Sequence, residues 1–308
     1  MIERKSVTIL IDEAKKNEVI NVYAPYEVEN NGEYIVFFAK LDRLIISIYS
    51  SKKENEYKLM FMGYDPLKEA IRWDKDAKIN PKKEKTTPKK ASWICLENQI
   101  GSDEVGTGDL FGPICVAAAL VKESDIQYLK ELGVDDSKRL NDDEILRLGE
   151  ILIKKFKYSQ ISLNNEKYNE LVDKGLNINE MKCKMHNQVL HNLIEKYPDV
   201  KNVFVDQFLE SDKYYKYLKN AKDVVNTITF RTKGESYFPS VAVASIIARY
   251  SFLKKMEDMS NKYKKDIPFG ASKKVTKFAV DFAKAYGKDE LLKNVKKNFA
   301  NLSELDWF

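Results

Sequence analysis

At 308 residues the chain is long enough for two domains or one large one, and its 44% hydrophobic content allows a sizeable core. Its 52 basic and 47 acidic side chains leave a formal charge of +5, too mild to imply a polyanionic partner by itself, so the placement of charge matters more than its sum. Three widely spaced cysteines without a C-x-x-C pair exclude a zinc knuckle and a redox dithiol, and no apolar run approaches the roughly 20 residues that span a bilayer. Cys95 and Cys115 lie in apolar runs and are expected in the core. Met1-Ile2-Glu3-Arg4-Lys5 has no apolar signal region, so a soluble, cytoplasmic protein is expected.

In chain order, residues 6–19 carry Val7, Leu10, Ile11 and Ala14 at helical spacing, although Val7–Ile11 reads equally as a strand. Glu33–Ala39 and Arg43–Tyr49 are β-branched and aromatic, and the short Lys40-Leu41-Asp42 connection predicts a hairpin. Tyr57–Met62 is a third strand, and a helix around Pro66–Trp73 closes a small α+β domain over 1–74, its aromatics assigned to the core. Residues 75–92 read as an exposed Lys-rich linker, polar and punctuated by Pro81 and Pro88, either a solvated tether or one that also touches phosphate. A second domain follows over 93–308. Ile94–Glu104 and Pro113–Val121 read as consecutive strands. Ser124–Gln127 reads as a capping box opening a helix that Gly133 ends. Asn141-Asp142-Asp143-Glu144 opens another, with Ile145, Leu148, Leu152 and Phe156 on one face. Strands at Tyr158–Leu163, Asn202–Asp206 and Val225–Phe230 alternate with helices at 178–197 and 211–220. Helical stretches at about 240–262, 272–286 and 288–299 complete the chain. A hairpin followed by alternating strands and helices predicts an α/β domain with a mixed sheet flanked by helices.

Four carboxylates carry the candidate chemistry. Asp103 and Glu104 end one strand, Asp206 ends another, and Glu235 follows a third in Thr232-Lys233-Gly234-Glu235-Ser236. Sites in α/β sheets gather at strand carboxyl ends. If the strands bearing Asp103 and Asp206 are neighbours, the two acids converge, and hard oxygen donors there suit two Mg²⁺ or Mn²⁺ ions bridging a scissile phosphate. Consecutive strand residues face opposite ways, so Asp103 and Glu104 share a site only if the strand ends or bends beside them. The adjoining Gly106-Thr107-Gly108 matches neither G-x-x-x-x-G-K-[ST] nor G-x-G-x-x-G, but exposed N–H groups there could hold a backbone phosphate. Lys138, after Ser137, is a further phosphate candidate or a solvated lysine. The small-residue helix Ser240–Arg249 predicts close packing on the sheet, with Arg249 either paired to the acids or facing solvent. His186 and His191, five apart, are wrongly spaced for a helical zinc pair and read as structural or surface residues.

Together, DEVGTGDLFGP at 103–113, DSK at 136–138, DQF at 206–208 and AVASIIAR at 242–249 resemble bacterial ribonuclease HIII, of the type 2 ribonuclease H family. The resemblance covers about 93–308, and extends weakly to the front, where that family carries a small domain similar to a TATA-binding-protein repeat. It implies a ribonuclease H-like catalytic domain with a five-stranded mixed sheet, and an endoribonuclease that hydrolyses the RNA strand of RNA–DNA hybrids with two divalent ions, leaving 5′-phosphate and 3′-hydroxyl ends. Asp103, Glu104 and Asp206 match the family's metal-binding acids. Glu235 stands at the fourth position, where type 2 enzymes often have Asp after Gly. Gly106, Thr107 and Gly108 replace the Gly-Arg-Gly with which ribonuclease HII contacts the ribonucleotide backbone and 2′-hydroxyl; Ser137 and Lys138 join them as substrate-binding residues. Ribonuclease HII also has a tyrosine in Lys-Gly-Tyr, where this chain reads Pro268-Phe269-Gly270-Ala271-Ser272-Lys273. The expected partner is an RNA–DNA hybrid, with no membrane, no obligate protein partner and a monomeric enzyme. The rivals are a non-enzymatic nucleic-acid binder using the linker and front domain, and a ribonuclease H-fold strand transferase or DNA nuclease acting on all-DNA substrate.

Overall fold

The structure is a computed structural model that describes residues 5–28, 34–41, 43–51, 53, 55–80, 93–134 and 140–303. The chain divides into two compact units, 1–88 and 89–308. Among the described residues no helix is long and apolar enough to cross a membrane.

In the front unit, β1 (Lys5–Ile11), β2 (Ile35–Leu41), β3 (Leu44–Ser50) and β4 (Tyr57–Gly63) form an antiparallel sheet in the order β1-β4-β3-β2. The predicted hairpin is β2–β3. Val7, Ile9 and Ile11 of β1 alternate inward with Leu59 and Phe61 of β4, so Val7–Ile11 is strand. The helix hidden in that region begins later, as α1 (Glu13–Tyr23), because Asp12 caps it by accepting from the Lys15 N–H at 2.8 Å. With α2 (Pro66–Ala70), α1 covers the inward face, and Tyr23, Phe37 and Phe61 lie in the core as expected. The opposite face carries Thr8, Leu10, Val36, Lys40 and Lys58, all exposed, with Phe38 and Tyr49 half-buried among them. Ile79 bridges to Val7, and Asn80 donates to Ser6 and Thr8. The heart of the predicted linker, Lys82–Lys90, lies outside the described residues.

The larger unit is built on a mixed sheet of five strands in the order β7-β6-β5-β8-β9: β5 (Asn98–Val105), β6 (Ile114–Lys122), β7 (Lys157–Leu163), β8 (Asn202–Asp206) and β9 (Ile228–Arg231). β5, β6 and β7 run antiparallel, whereas β8 joins β5, and β9 joins β8, in parallel. The helices are α3 (Ile126–Glu131), α4 (Asp142–Lys155), α5 (Asn165–Asp173), α6 (Ile178–Lys196), α7 (Ser211–Tyr217), α8 (Pro239–Tyr263), α9 (Lys273–Tyr286), α10 (Lys288–Leu292) and α11 (Ala300–Ser303). α8 and α4 pack one sheet face through Ala242, Ile246, Ile145 and Leu148 against Ala117 and Ala119. α6 packs the other through Met181, Val189 and Leu193 against Ile100, Val116 and Ala118.

Several boundaries depart from the sequence reading. β5 starts at Asn98, which leaves Cys95 exposed rather than in the core, while Cys115 and Cys183 are buried. The predicted box at Ser124–Gln127 is displaced: Asp125 accepts from the Lys122 N–H at 3.0 Å across a 3-10 turn, and α3 starts at Ile126. The Gly133 stop is present, at φ +77°. Residues 288–299 are not one helix. α10 ends at Leu292 because Val295 forms a strand-like bridge with Phe111 and Lys296 turns toward the loop beyond β5. The helix start at Asn141 is as predicted, and it is built as a capping box: Asn141 accepts from the Glu144 N–H, and Glu144 accepts from the Asn141 N–H, each at 2.9 Å. Asn141→Ala should lower the stability of this unit by about 1 kcal/mol, read as a shift of its urea unfolding midpoint.

Candidate active site

The parallel pairing of β5 with β8 sets Ser102 against Val205. Carried one residue on, it brings Asp103, two residues before the end of β5, beside Asp206, the last residue of β8. The pairing of β8 with β9 places Arg231 against Asp206, and the chain then folds into a 3-10 turn, Gly234–Ser236. That turn is fastened to the strand end by the Gly234 N–H, which donates to Asp206 Oδ1 at 2.8 Å. A side chain at 234 would stand 3.3 Å from the Asp206 Cα, so glycine lets the turn sit this close. Glu235, at 2% exposure, directly follows the glycine that Asp206 holds. Trp93 steadies it, its indole N–H donating to the Glu235 carbonyl at 3.1 Å.

Asp103 and Glu104 do not mark the end of their strand. β5 continues through Val105, and the two carboxylates diverge to opposite sides of the sheet. Asp103 is buried on the α8 side, where the Ser245 hydroxyl donates to it, and it accepts from the Glu104 N–H at 2.7 Å. Glu104 turns to α6. Lys182 Nζ lies 2.5 Å from one carboxylate oxygen and His186 Nε2 3.0 Å from the other. His186 Nδ1 is 2.8 Å from the Ser102 hydroxyl, a pattern satisfied when Nε2–H donates to Glu104 and Ser102 donates to Nδ1. Phe208 completes the enclosure, with the Lys182 ammonium 3.7 Å from its ring centroid.

These settings drive the two acids apart. Burial, then the charges of Glu104 and Asp206, hold the Asp103 carboxyl well above its ordinary value, only partly offset by its hydrogen bonds. Burial also works to raise Glu104, but His186 and Lys182 outweigh it and bring that carboxyl down to about 2. Asp103 is thus a buried carboxylate facing like charge, the condition a divalent cation relieves.

The Gly106–Gly108 loop begins directly beyond β5. Gly106 has φ +89°, and a Cβ there would lie 2.2 Å from the Pro113 carbonyl oxygen, so glycine is needed on both counts. Gly108 is different: it is exposed, with open space where a Cβ would go. Ser137 and Lys138 lie outside the described residues. Arg249 ion-pairs with Asp142 at 2.7 Å and donates to the Leu140 carbonyl. Lys182 is a residue that sequence reasoning missed, and His186, read there as structural or surface, is buried against Glu104. Their four-residue spacing on one helix face was the available signal, but nothing local to them names Glu104 as the partner.

Ribonuclease HIII of Bacillus anthracis is 42% identical over 274 residues, covering 86% of each chain, and that of Bacillus cereus matches at the same level over 278 residues. The chain belongs to the ribonuclease HIII family. The Ribonuclease HII family model matches residues 100–302, and a domain of unknown function matches 6–86. The crystal structure of Bst-RNase HIII in complex with Mn²⁺ superposes with a TM-score of 0.66 at 32% identity, over 97% of each chain. Aquifex aeolicus RNase H3, 22% identical with a TM-score of 0.54 over 94% of this chain, shares the fold. The larger unit accordingly has the ribonuclease H-like fold that the motifs implied, and the enzyme is a metal-dependent ribonuclease.

The side chains present suit a hard divalent ion in kind, since carboxylate oxygens are its preferred donors and Asp103 is held in mutual repulsion with Glu104 and Asp206. Among the described residues no three acidic, histidine or cysteine side chains close around a single point, and Glu104 is occupied by Lys182 and His186.

Proposed function

We propose that this chain hydrolyses the RNA strand of RNA–DNA hybrids, with Asp103, Glu104, Asp206 and Glu235 as the catalytic and metal-holding acids. The observation that supports it best is the pairing of β5 with β8, which sets buried Asp103 beside Asp206 at a strand end. Two divalent ions, Mg²⁺ or Mn²⁺, when bound by these acids, would supply an activated water for in-line attack at phosphorus and stabilise the leaving 3′-oxygen. Within the chain, Asp206 also fixes the Gly234–Ser236 turn and so sets where Glu235 can reach. Lys182 and His186 orient Glu104 and keep it ionised. Gly106, Thr107 and Gly108, with Ser137 and Lys138, would meet the ribonucleotide backbone and its 2′-hydroxyl; open space at Gly108 suits close approach of a sugar-phosphate.

The front unit, joined through the Lys-rich segment within 75–92, would grip the hybrid with the sheet face that α1 and α2 leave uncovered. That face offers Lys40 and Lys58 as cations, and Phe38 and Tyr49 as flat apolar surface. The enzyme would act as a cytoplasmic monomer without an obligate protein partner. Lys40→Glu combined with Lys58→Glu should weaken hybrid binding several-fold and reduce the salt slope of affinity by about one per lost phosphate contact, measured by anisotropy across a salt series. The chemistry is tested by end analysis of a labelled hybrid after cleavage. Products with 5′-phosphate and 3′-hydroxyl ends are expected, and 2′,3′-cyclic phosphate ends would rule out the proposed attack by water.

A further inference from the structure

Lys296 is fully enclosed, at 0% exposure, although it carries a charge. Its ammonium donates to two carbonyls of one loop, those of Asp109 and Gly112, each at 2.7 Å. The surrounding backbone is clamped to the same loop. Lys296 N–H donates to the Leu110 carbonyl at 3.0 Å, Gly112 N–H to the Asn294 carbonyl at 3.3 Å, and Val295 bridges Phe111. From the other side, Asp109 Oδ1 accepts from the Gly270 N–H at 2.6 Å, and the Leu110 N–H donates to the Gly270 carbonyl at 2.9 Å. Residues 109–112 are thus held on two sides. The segment just before them is not: Thr107 and Gly108 donate no backbone hydrogen bond to any described residue, and Gly108 is exposed.

Enclosing an ammonium opposes folding, and a methionine of similar length would pack here without that desolvation cost. Burial lowers the Lys296 pKa to about 8, against the opposing pull of Asp109 and Cys115, the titratable groups that face it. The Cys115 thiol is itself pushed up to about 11 by burial. What methionine cannot supply is a donor to two carbonyls at once. Turning those carbonyls inward sets the peptide planes of 109–112, and with them the direction in which 106–108 leaves the sheet.

We propose that Lys296 is a positioning residue for ribonucleotide recognition, fixing the turn through the Asp109 and Gly112 carbonyls so that Gly106–Gly108 is held in place to read the sugar 2′-hydroxyl. This rests on the role proposed above for that loop. The test compares the affinity of the full chain for a labelled RNA–DNA hybrid with that for a DNA duplex of the same sequence, in EDTA, by anisotropy. Lys296→Met should narrow the hybrid-over-duplex ratio about tenfold, while Lys296→Arg, which keeps the charge and donors, retains most of it. Circular dichroism establishes that each variant is folded. Should Lys296→Met fail to fold, Lys296→Gln, whose shorter side chain cannot span both carbonyls, takes its place with the same expectation. An undiminished ratio in a folded Lys296→Met or Lys296→Gln variant overturns the assignment. A wild type with no preference for hybrid would instead remove the loop's proposed role, and this inference with it.

Discussion

Asp103→Asn should lower hybrid cleavage by about a thousandfold or more and yet make the metal-free protein more stable. The first effect follows from removing a charged oxygen donor beside Asp206. The second follows from its surroundings: burial and the charges of Glu104 and Asp206 raise the folded-state carboxyl above its unfolded value. A carboxyl raised in this way favours folding at low pH, and loses that contribution as pH climbs from the unfolded value through the folded one. At neutral pH, Asp103 therefore opposes folding, and asparagine removes the opposition. Thermal melts in EDTA should show the variant melting above the wild type. Adding Mn²⁺ should raise the wild-type midpoint much more than that of the variant, because the ion relieves a repulsion the variant no longer has. A variant that is inactive but also less stable in EDTA would point to a structural role for Asp103 instead.

Gly101→Ala should destabilise the larger unit by about 3 kcal/mol. A Cβ at 101 would lie 2.4 Å from the Val241 backbone nitrogen and 2.7 Å from the Ser240 carbonyl carbon, and backbone atoms cannot swing aside as a side-chain tip can. Gly101 faces α8, as Asp103 does two residues on, so the displacement falls where Ser245 reaches Asp103. Urea unfolding followed by circular dichroism measures the loss, and activity should fall together with stability. A variant as stable as the wild type would mean that α8 can move away from β5 at little cost.

The same crossing shows what the residues declared in advance. Ser240–Arg249 is so rich in alanine and serine that close packing on a sheet was readable from composition, and α8 packs there with Ala242, Ala244 and Ala248 fully buried. The helix start at Asn141–Glu144 and the glycine stop at 133 were readable because each is complete within four or five residues. The helix α1 was obscured because Val7–Ile11 satisfies both periodicities, and the Asp12 cap alone separates strand from helix. The segment 288–299 misled for the opposite reason: its local preference is helical, but Val295 and Lys296 are drawn to a loop more than 180 residues earlier in the chain. Long-range pairings of this kind leave no local trace. The candidate site divides the same way. The two adjacent acids and the glycines beside them stand out in sequence, whereas the register that brings Asp206 to Asp103, and the Lys182–His186 grip on Glu104, exist only once the sheet and α6 have assembled.

The central claim is that a metal-dependent carboxylate site cuts RNA only when it is paired with DNA. Its most direct test is the initial cleavage rate of the wild-type chain on three duplexes of one sequence, RNA–DNA, RNA–RNA and DNA–DNA, each with Mg²⁺, Mn²⁺ or EDTA. Rapid cutting of the RNA strand of the hybrid is expected with either metal, at least about a hundredfold slower cutting of the other two, and none in EDTA. Comparable cutting of the all-DNA duplex, or cleavage that persists in EDTA, would contradict it.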